Sequence, residues 1–534
     1  MDINETIIEE LINANLKKLG DLAVIKRRIA KKFKTPCPSN ISLLKTYHEL
    51  IKNKNISRSG IIEHILRKRP VRSLSGIVNI SVLTKPYPCP GKCIYCPTEK
   101  NIPKSYVSGE PAVERAKKLN FDPYLQIEKR IEMLENEGHP TDKLEVRIIG
   151  ATWSYYQKSY QNWFIKRCFQ ASNGKKSKSK NQKIEDVQRL NEKAKHRIVG
   201  LSIETRPDFI DEKEIKRLRT LGITMVEIGV QSIFDDVLAL NKRGHGSEAI
   251  IKATKLLKDA GFKVCYQMMP DLPGSTLEKD EEMFRQLFNN QNFQPDLLKI
   301  YPTAILKGAE LYKWWKDKKY KPYSAKDLIK LVTEIKKEVP FYVRIQRITR
   351  DIPSKDIVAG PAKISNLRQI VVEEMEKKGE KCKCIRCREI GKDYDAKEKI
   401  LLFREDYNAS GGKEIFLSFE NEKREKLYSL LRLRIPAEGN YSIVRELHTY
   451  GQQLPISGKS DKGGWASFAS NSAQHKGLGK KLVKEAERIA GKEFHSERIS
   501  IISAVGARPY YRNLGYRLTS TYMIKKLRSN VSSK

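Results

Sequence analysis

Residues 85–97 read KPYPCPGKCIYCP and place Cys89, Cys93 and Cys96 in the spacing C-x3-C-x2-C. Cysteines this close rarely bond to one another without strain, and a cytosolic chain keeps its thiols reduced, so the triplet indicates a metal site. Three thiolates can ligate three irons of a [4Fe–4S] cluster and leave the fourth iron open to a small molecule. A structural zinc site is the alternative, but it would need a fourth cysteine or histidine close by, and none follows.

Around this stretch, from about residue 75 to residue 345, short β-rich runs alternate with amphipathic helical runs. The predicted strands are 76–83, 144–149, 198–203, 224–230, 263–268, 297–301 and 341–345. Such an alternation is typical of βα units that build a parallel sheet. We predict an α/β fold, a full or partial (β/α) barrel whose functional residues stand at the C-terminal ends of the strands.

With Tyr95 directly before its last cysteine, the motif resembles that of the radical S-adenosylmethionine (SAM) superfamily. In that superfamily the open iron binds SAM, and one electron cleaves SAM to a 5′-deoxyadenosyl radical. The resemblance implies that Gly150, after the second predicted strand, lies in a turn that faces SAM. Glu204, at the end of the third predicted strand, could bind SAM or could simply pair with Arg206.

A second triplet, Cys382, Cys384 and Cys387, follows the predicted barrel in the spacing C-x-C-x2-C. This spacing suits a tetrahedral Zn²⁺ that takes a fourth ligand from elsewhere in the fold. A second cluster and free thiols are the alternatives. We predict zinc, because a structural metal can hold together the junction between two domains.

Beyond about residue 395 the pattern changes to crowded strand-like runs around one long helix, which predicts a separate α+β domain. The runs are 399–403, 414–419, 442–447, 465–469 and 498–503, and the helix is 477–490. Residues 474–479 read QHKGLG, and such glycines before a helix N-terminus favour an anion such as a pyrophosphate. The arrangement resembles the GNAT family of acetyl-coenzyme A (acetyl-CoA) N-acetyltransferases. That resemblance makes Tyr511 the candidate beside the thioester.

A radical SAM barrel joined to a GNAT domain, with the stretches FDPYLQ, RIQRITRDIP, RELHTYG and RPYYRNLGY, closely resembles the archaeal form of the Elongator catalytic subunit family. The resemblance implies a tRNA uridine acetyltransferase, or carboxymethyluridine synthase, that acts on C5 of the wobble uridine. By the resemblance, hydrogen abstraction from the acetyl methyl would give an acetyl radical that adds to C5. One-electron re-oxidation with loss of a proton, followed by thioester hydrolysis, would leave a carboxymethyl group. It implies catalytic roles for Lys143 and Tyr511. The residues that it assigns to acetyl-CoA are Lys143, Glu446, Leu447, His448, Thr449, Gln474, Gly477, Leu478, Gly479, Lys480 and Tyr511.

The patterns divide the chain into four parts: a helical module at 1–72, the barrel at 73–360, a cysteine-rich linker at 361–395 and the acetyl-CoA-binding domain at 396–534. Residues 1–72 carry 16 Lys and Arg against 7 Asp and Glu, and their apolar residues recur at helical spacing. The whole chain has a formal charge of +38, which favours a polyanion partner. A solvated lysine-rich surface is the alternative. We predict that the first module binds tRNA, whose anticodon stem-loop reaches the barrel.

Two other functions stay open on sequence alone. The chain could be a protein lysine N-acetyltransferase with a structural iron–sulfur barrel, since Glu446 or His448 could serve as the general base. It could also be a tRNA-binding scaffold with inactive cofactor sites. The acidic start, MDINETIIEELI, and the lack of a long apolar stretch predict a soluble, cytoplasmic protein. The electron donor is not predicted, nor is the choice between a stand-alone enzyme and a homodimer.

Overall fold

A computed structural model describes residues 2–14, 19–54, 56–57, 59–174, 182–391, 394–454, 456 and 472–527. Its architecture consists of an N-terminal helical bundle and two seven-stranded β-sheets, each with its own helices. Of the helices in this described part of the chain, none combines the length and the apolar character that a membrane span requires.

The N-terminal bundle consists of the helices Ile3–Asn13, Leu19–Phe33, Asn40–Lys54 and Gly60–Leu66. Their apolar faces form a core of their own, in which Ile8, Leu43 and Tyr47 are fully buried. Arg27 and Lys31 stay exposed on the opposite face of the second helix. The structure therefore confirms the predicted amphipathic helices with basic faces.

The first sheet contains seven parallel strands in chain order, so that β1 and β7 are its two edges. The strands are β1 (Val78–Leu83), β2 (Lys143–Ile149), β3 (Arg197–Thr205), β4 (Met225–Gln231), β5 (Lys263–Met268), β6 (Leu297–Ile300) and β7 (Arg344–Ile348). Helices that flank this sheet are Pro111–Lys118, Pro123–Asn136, Lys158–Asn173, Ile184–Asn191, Glu212–Thr220, Asp235–Leu240, Ser247–Asp259, Leu277–Asn289, Leu311–Lys316, Ala325–Glu338, Leu367–Lys377 and Ile385–Arg388. The predicted partial α/β barrel is confirmed.

The second sheet is mixed, with the strand order β13-β14-β12-β11-β10-β9-β8. Its strands are β8 (Ile400–Ala409), β9 (Gly412–Asn421), β10 (Leu427–Ile435), β11 (Tyr441–Thr449), β12 (Arg498–Ile501), β13 (Arg517–Thr519) and β14 (Tyr522–Lys526). Only β11 and β12 pair in parallel among these strands. The helices Leu478–Arg488 and Arg508–Arg512 complete an α+β unit, as predicted. The predicted strand at 465–469 lies outside the described residues.

The two sheets meet at the N-terminal ends of the first sheet's strands, where a buried ion network joins them. Arg445 of β11 donates two hydrogen bonds of 2.6 and 2.8 Å to Asp296, directly before β6. The same guanidinium donates to Glu414 of β9 at 2.8 and 3.0 Å. All three side chains are essentially inaccessible to solvent. The second unit is therefore locked to the end of the half-barrel opposite the cysteine loop.

Candidate functional site

The first cysteine triplet lies on the loop that follows β1, at the C-terminal end of the half-barrel. Cys93 is buried, while Cys89 and Cys96 are partly exposed. Burial opposes ionisation of Cys93, but Arg243, with Nη1 3.5 Å from the sulfur, lowers the pKa of this thiol below its usual value. Burial and the neighbouring Cys93 raise the pKa of Cys96 to about 12. One thiol of the set is thus prepared for ionisation by a fixed cation.

The two triplets differ in how closely their sulfur atoms approach one another. Within the described residues, the ligand atoms that all lie within 4.8 Å of one another are those of Cys382, Cys384 and Cys387. The sulfurs of the first triplet are not grouped in this way, as expected when each thiolate binds a different iron. The donor set of Cys89, Cys93 and Cys96 therefore fits a cluster better than a single ion.

A cavity of about 590 Å³ opens beside the cysteine loop and is lined by Tyr95, Cys96 and Glu204. Glu204 accepts hydrogen bonds from Tyr106 Oη at 2.9 Å, Gln267 Nε2 at 3.1 Å and Lys299 Nζ at 3.3 Å. Arg206 instead forms two hydrogen bonds of 2.8 and 2.9 Å to Asp208. The alternative in which Glu204 only pairs with Arg206 is therefore wrong.

Gly150 follows β2 and lies outside the lining of this cavity. Its φ of +121° is a conformation that L side chains rarely adopt, and an added Cβ would lie 2.2 Å from Thr84 Oγ1. Its carbonyl accepts a hydrogen bond of 3.0 Å from the same hydroxyl. These contacts explain why the turn needs glycine, and a role of Gly150 toward SAM stays a prediction.

A second cavity, of about 680 Å³, lies between the two sheets at the N-terminal end of the half-barrel. It brings together every residue that sequence analysis assigned to acetyl-CoA. These are Lys143, Glu446, Leu447, His448, Thr449, Gln474, Gly477, Leu478, Gly479, Lys480 and Tyr511. Further lining residues that sequence analysis missed include Ser75, Gly76 and Lys263. No periodicity or motif marks them, because they meet the cavity only through the packing of the two units.

The shape of this cavity follows from the way β11 parts from β12. The two strands pair over Tyr441–Val444, and β11 then continues to Thr449 with no strand partner on that edge among the described residues. The helix Leu478–Arg488 begins in this opening, after Gly477 with φ +80°. The first N–H groups of a helix have no partner within it and carry a partial positive charge. The opening therefore offers backbone donors to an anion and a strand edge to an amide-containing chain.

Lys143, the first residue of β2, is held by the loop before that helix. Its Nζ lies 2.9 Å from Gln474 Oε1, and burial lowers the pKa of its ammonium to about 8. Gln474 Oε1 also accepts from the Leu454 N–H at 3.0 Å, and Nε2 donates to the carbonyls of Gly76 and Thr449. The Gln474 amide is thus fully used in positioning Lys143.

Glu446 and His448 have environments that differ in charge. Burial would raise the pKa of Glu446, but Lys263 at 3.2 Å and Arg432 at 2.8 Å lower this pKa to about 2. Burial lowers the pKa of His448, so its imidazole is neutral near pH 7. In the neutral ring the hydrogen is on Nε2, which donates a hydrogen bond of 2.8 Å to the Ser75 carbonyl. Glu446 therefore stays ionised, and His448 presents only its Nδ1 lone pair as an acceptor.

Both tyrosines of the last helix line the cavity. Tyr511 belongs to the core of the second unit, and its burial raises the pKa of its hydroxyl. Tyr510 is 42% exposed, and its hydroxyl lies 3.1 Å from the point where a Cβ on Gly479 would stand. Tyr510 therefore covers the start of the Leu478–Arg488 helix.

The second triplet joins the two sheets on their other side. Cys384 is buried, and the Ile385 N–H donates to the Val343 carbonyl at 3.0 Å next to β7. Ile390 N–H donates to the Leu427 carbonyl of β10 at 2.9 Å. Lys336 Nζ lies 3.3 Å from Cys387 Sγ. Among the described residues no fourth His, Cys, Asp or Glu joins the three sulfurs, so zinc stays a prediction.

Comparison with known proteins agrees with this architecture. The model of the Radical SAM superfamily matches residues 87–287, and that of the Radical SAM C-terminal domain matches residues 295–377. The solved structure of the archaeal Methanocaldococcus infernus Elp3 with an N-terminal deletion (1–46) superposes with a TM-score of 0.73 and 44% identity. It covers 85% of this chain and 100% of that one.

Full-length relatives extend the agreement over nearly the whole chain. The tRNA uridine(34) acetyltransferase of Methanocaldococcus infernus is 44% identical over 554 residues, covering 98% of this chain and 100% of that protein. Elongator complex protein 3 of Homo sapiens is 37% identical over 546 residues, covering 98% of this chain and 96% of that protein. The chain therefore belongs to the family of tRNA uridine(34) acetyltransferases and Elongator complex protein 3.

Proposed function

We propose that this protein converts the wobble uridine of tRNA to 5-carboxymethyluridine, with acetyl-CoA as the source of the two added carbons and SAM as the source of the radical. Relatives named tRNA uridine(34) acetyltransferase and the Radical SAM match support the reaction class. The observation that carries the proposal is that the two cavities share part of their walls. Asn79, Arg147, Arg344 and Gln346 line both of them. A base held there would stand between the SAM side and the thioester side.

Unused polar atoms in this shared wall support a base as the occupant. Asn79 Oδ1 and Arg147 Nε are buried and have no hydrogen-bond partner in the described part of the chain. A buried polar atom without a partner costs free energy, so such atoms call for a ligand that supplies one. Uracil carries both an N–H donor and carbonyl acceptors on its edge, which matches an amide oxygen and a guanidinium N–H.

Cys89, Cys93 and Cys96 would hold a [4Fe–4S] cluster, which when bound supplies the electron that turns SAM into a hydrogen-abstracting radical. The proposal needs this chemistry because C5 of uracil is a weak nucleophile toward a thioester. The protein's own contribution is orientation and the exclusion of water around two co-substrates and one base. An anticodon base is already single-stranded, so extruding it costs less than extruding a paired base.

In the cavity between the sheets, we propose a GNAT-type arrangement for acetyl-CoA. The N–H groups of Leu478, Gly479 and Lys480 would face the pyrophosphate, and the edge of β11 beyond its pairing with β12 would pair with the pantetheine amides. Lys143 keeps two ammonium hydrogens beyond the one that it gives to Gln474. These would polarise the thioester carbonyl, and Tyr511 would close the pocket next to it.

The surroundings of Glu446 favour this reaction over lysine acetylation. Direct acetyl transfer to an amine needs a general base with a pKa near the working pH. Glu446 has a pKa of about 2 and two cationic partners, so it binds a proton poorly. His448 donates from Nε2 to the Ser75 carbonyl, so only Nδ1 could accept a proton, and burial lowers the pKa of this imidazole.

Other parts of the chain would serve binding. We propose that the helices of residues 1–72 contact tRNA through their exposed basic faces, and that Cys382, Cys384 and Cys387 bind zinc. The four domains would end near residues 72, 360, 395 and 534. An external electron donor is needed for the reductive step.

Nucleoside analysis by mass spectrometry tests the proposal. Anaerobically reconstituted protein is incubated with unmodified tRNA, acetyl-CoA, SAM and a reductant, and the tRNA is digested. We expect 5-carboxymethyluridine, which should disappear when any one component is omitted. Unchanged tRNA together with acetylated protein would support lysine acetylation instead.

Lys143 gives a pH-dependent prediction. Because its pKa is about 8, the ammonium form predominates below pH 8 and is lost as the pH rises through that value. Turnover of acetyl-CoA should fall over this range if the ammonium polarises the carbonyl. In Lys143→Arg the charge persists and the fall should vanish, whereas Lys143→Met should lose about 100-fold at pH 7, the typical cost of one such donor. An unchanged pH profile in Lys143→Arg would exclude this role.

A further inference from the structure

Three arginines form a cluster on the β1 side of the cysteine-loop cavity, and all three line it. Arg72 lies in the turn Pro70–Ser73, before β1. Arg115 stands in the last turn of the helix Pro111–Lys118, and Arg130 lies in the helix Pro123–Asn136. We call Arg72, Arg115 and Arg130 the arginine cluster.

The arginine cluster has too little negative charge nearby. Arg72 forms an ion pair with Glu137. Arg115 and Arg130 form no ion pair with a carboxylate of any described residue. Burial, together with the charges of Arg115 and Arg72, outweighs the nearby Glu137 carboxylate and lowers the pKa of Arg130 to about 10. Arg115 is exposed on one side, and its partial burial together with Arg72 lowers its pKa as well. The mutual repulsion of these guanidinium groups is a cost that a bound anion would remove.

The rest of the cavity does not neutralise the arginine cluster. Its lining includes nine basic side chains against three acidic ones. Each of the three acids already pairs with a base of the same lining: Glu110 with Arg350, Glu204 with Lys299, and Asp351 with Arg347. On the β7 side, Arg344 and Arg386 both pair with Glu389. The uncompensated charge is therefore concentrated on the β1 side.

The other proposed ligands do not account for an anion site here. SAM has no phosphate, and the family resemblance assigns its single carboxylate to the open iron of the cluster. The phosphates of acetyl-CoA are assigned to the other cavity, at the start of the helix Leu478–Arg488, and none of the arginine cluster lines that cavity. The remaining phosphate-bearing ligand is the RNA chain, whose backbone must pass this opening if its base is to reach Asn79 and Arg147.

We propose that the arginine cluster binds backbone phosphate of the substrate RNA next to the target nucleotide. This inference rests on the proposed function, because it takes RNA as the substrate. Arginine suits the task, since its planar fork donates two hydrogen bonds to one phosphate. Phosphate contacts of this kind fix the position of the RNA chain and carry no sequence information.

The test compares two double variants that remove equal charge from the same two helices. Arg115→Gln with Arg130→Gln changes the arginine cluster. Lys118→Gln with Lys129→Gln changes exposed residues that do not line the cavity. The probe is an anticodon stem-loop RNA with uridine at the wobble position, titrated at several salt concentrations. Acetyl-CoA binding reports whether each variant is folded.

We expect the arginine variant to bind the RNA at least about 10-fold more weakly at low salt, with a slope of log K against log salt that is shallower by about 1 to 2. The Lys118→Gln, Lys129→Gln variant should lose much less RNA affinity. The Arg115→Lys, Arg130→Lys variant, which keeps the charge, should bind RNA more tightly than the Arg→Gln variant. Equal losses of RNA affinity in the arginine and lysine variants would overturn the phosphate-binding role of the arginine cluster. The proposed function would then still stand if the wild-type protein modified tRNA. If wild type bound no RNA but bound an acidic peptide through Arg115 and Arg130, both proposals would fail.

Discussion

Replacing Cys93 by alanine is expected to abolish cluster incorporation and all formation of 5′-deoxyadenosine from SAM. Cys93 is the buried member of the triplet, and Arg243 and Arg206 both lower its pKa. Its thiolate is therefore stabilised by fixed cations of the protein. Two remaining cysteines leave two irons without protein ligands, and a cluster held in this way is readily lost. Iron and sulfide content, visible absorbance and 5′-deoxyadenosine yield measure the effect.

Two other cysteine variants serve as controls for this prediction. Cys37 is exposed and lies in the N-terminal bundle, so Cys37→Ala should keep both the cluster and SAM cleavage. Cys387→Ala should keep the iron but lose any metal bound by the second triplet. Cleavage of SAM at an undiminished rate by Cys93→Ala would show that the first triplet is not the radical SAM site.

Replacing Arg445 by methionine should destabilise the protein by about 3–5 kcal/mol, the usual cost of breaking a buried ion pair. The change removes the guanidinium that donates hydrogen bonds to both buried carboxylates, Asp296 and Glu414, and leaves Lys258 at 3.8 Å from each of them. Arg445 also occupies a β-bulge, since Glu446 pairs with Arg432 and Val444 with Leu433. The β11 segment that lines the acetyl-CoA cavity starts at this bulge, so acetyl-CoA binding should weaken as well.

The same network gives acid sensitivity with a defined sign. Burial would raise the pKa of Asp296, but Arg445, Lys258 and Arg432 outweigh burial and lower it far below its usual value. The contribution of Asp296 to the free energy of unfolding is therefore complete above the unfolded pKa of about 4. It is lost as the pH falls from that value toward the lowered pKa of the folded state. Arg445→Met should reduce this acid dependence.

Urea unfolding measures both effects, with Arg488→Met as the matched control. Arg488 is largely exposed and pairs with Glu485 on the surface, where an ion pair contributes little. Because the chain contains several units, the midpoint of the transition that includes the second sheet is the quantity to compare. Equal midpoints for Arg445→Met and Arg488→Met would contradict the locking role of Arg445.

The strands of the first sheet were predictable because they are short apolar runs between helical runs. The last strand was predicted to begin at residue 341, three residues before β7 begins, because the apolar residues 341–343 lie directly before it. Strand β10 was missed, because Arg432 and Arg434 interrupt its apolar run. Both arginines are fully buried, and their partners Asp296 and Asp259 come from distant parts of the chain, while Glu446 lies opposite Arg432 on β11. Sequence periodicity cannot reveal such pairing.

The candidate sites were predictable to different degrees. The rule that function lies at the C-terminal ends of strands correctly places the cysteine loop. It misses the cavity at the N-terminal ends, where Lys143 begins β2 and Lys263 begins β5. Lys143 was singled out by family resemblance alone. The positioning of Lys143 by Gln474 links residues 331 positions apart and required the structure.

Isotope tracing from acetyl-CoA to tRNA tests the central claim most directly. Acetyl-CoA carrying ¹³C at both acetyl carbons is incubated with the reduced protein, SAM and tRNA, and nucleosides and protein are analysed by mass spectrometry. We predict that both labelled carbons appear together in a carboxymethyl group on uridine, and only when SAM and reductant are present. Labelled acetyl groups on protein lysines with unlabelled tRNA, or labelling of tRNA without SAM, would contradict the proposed function.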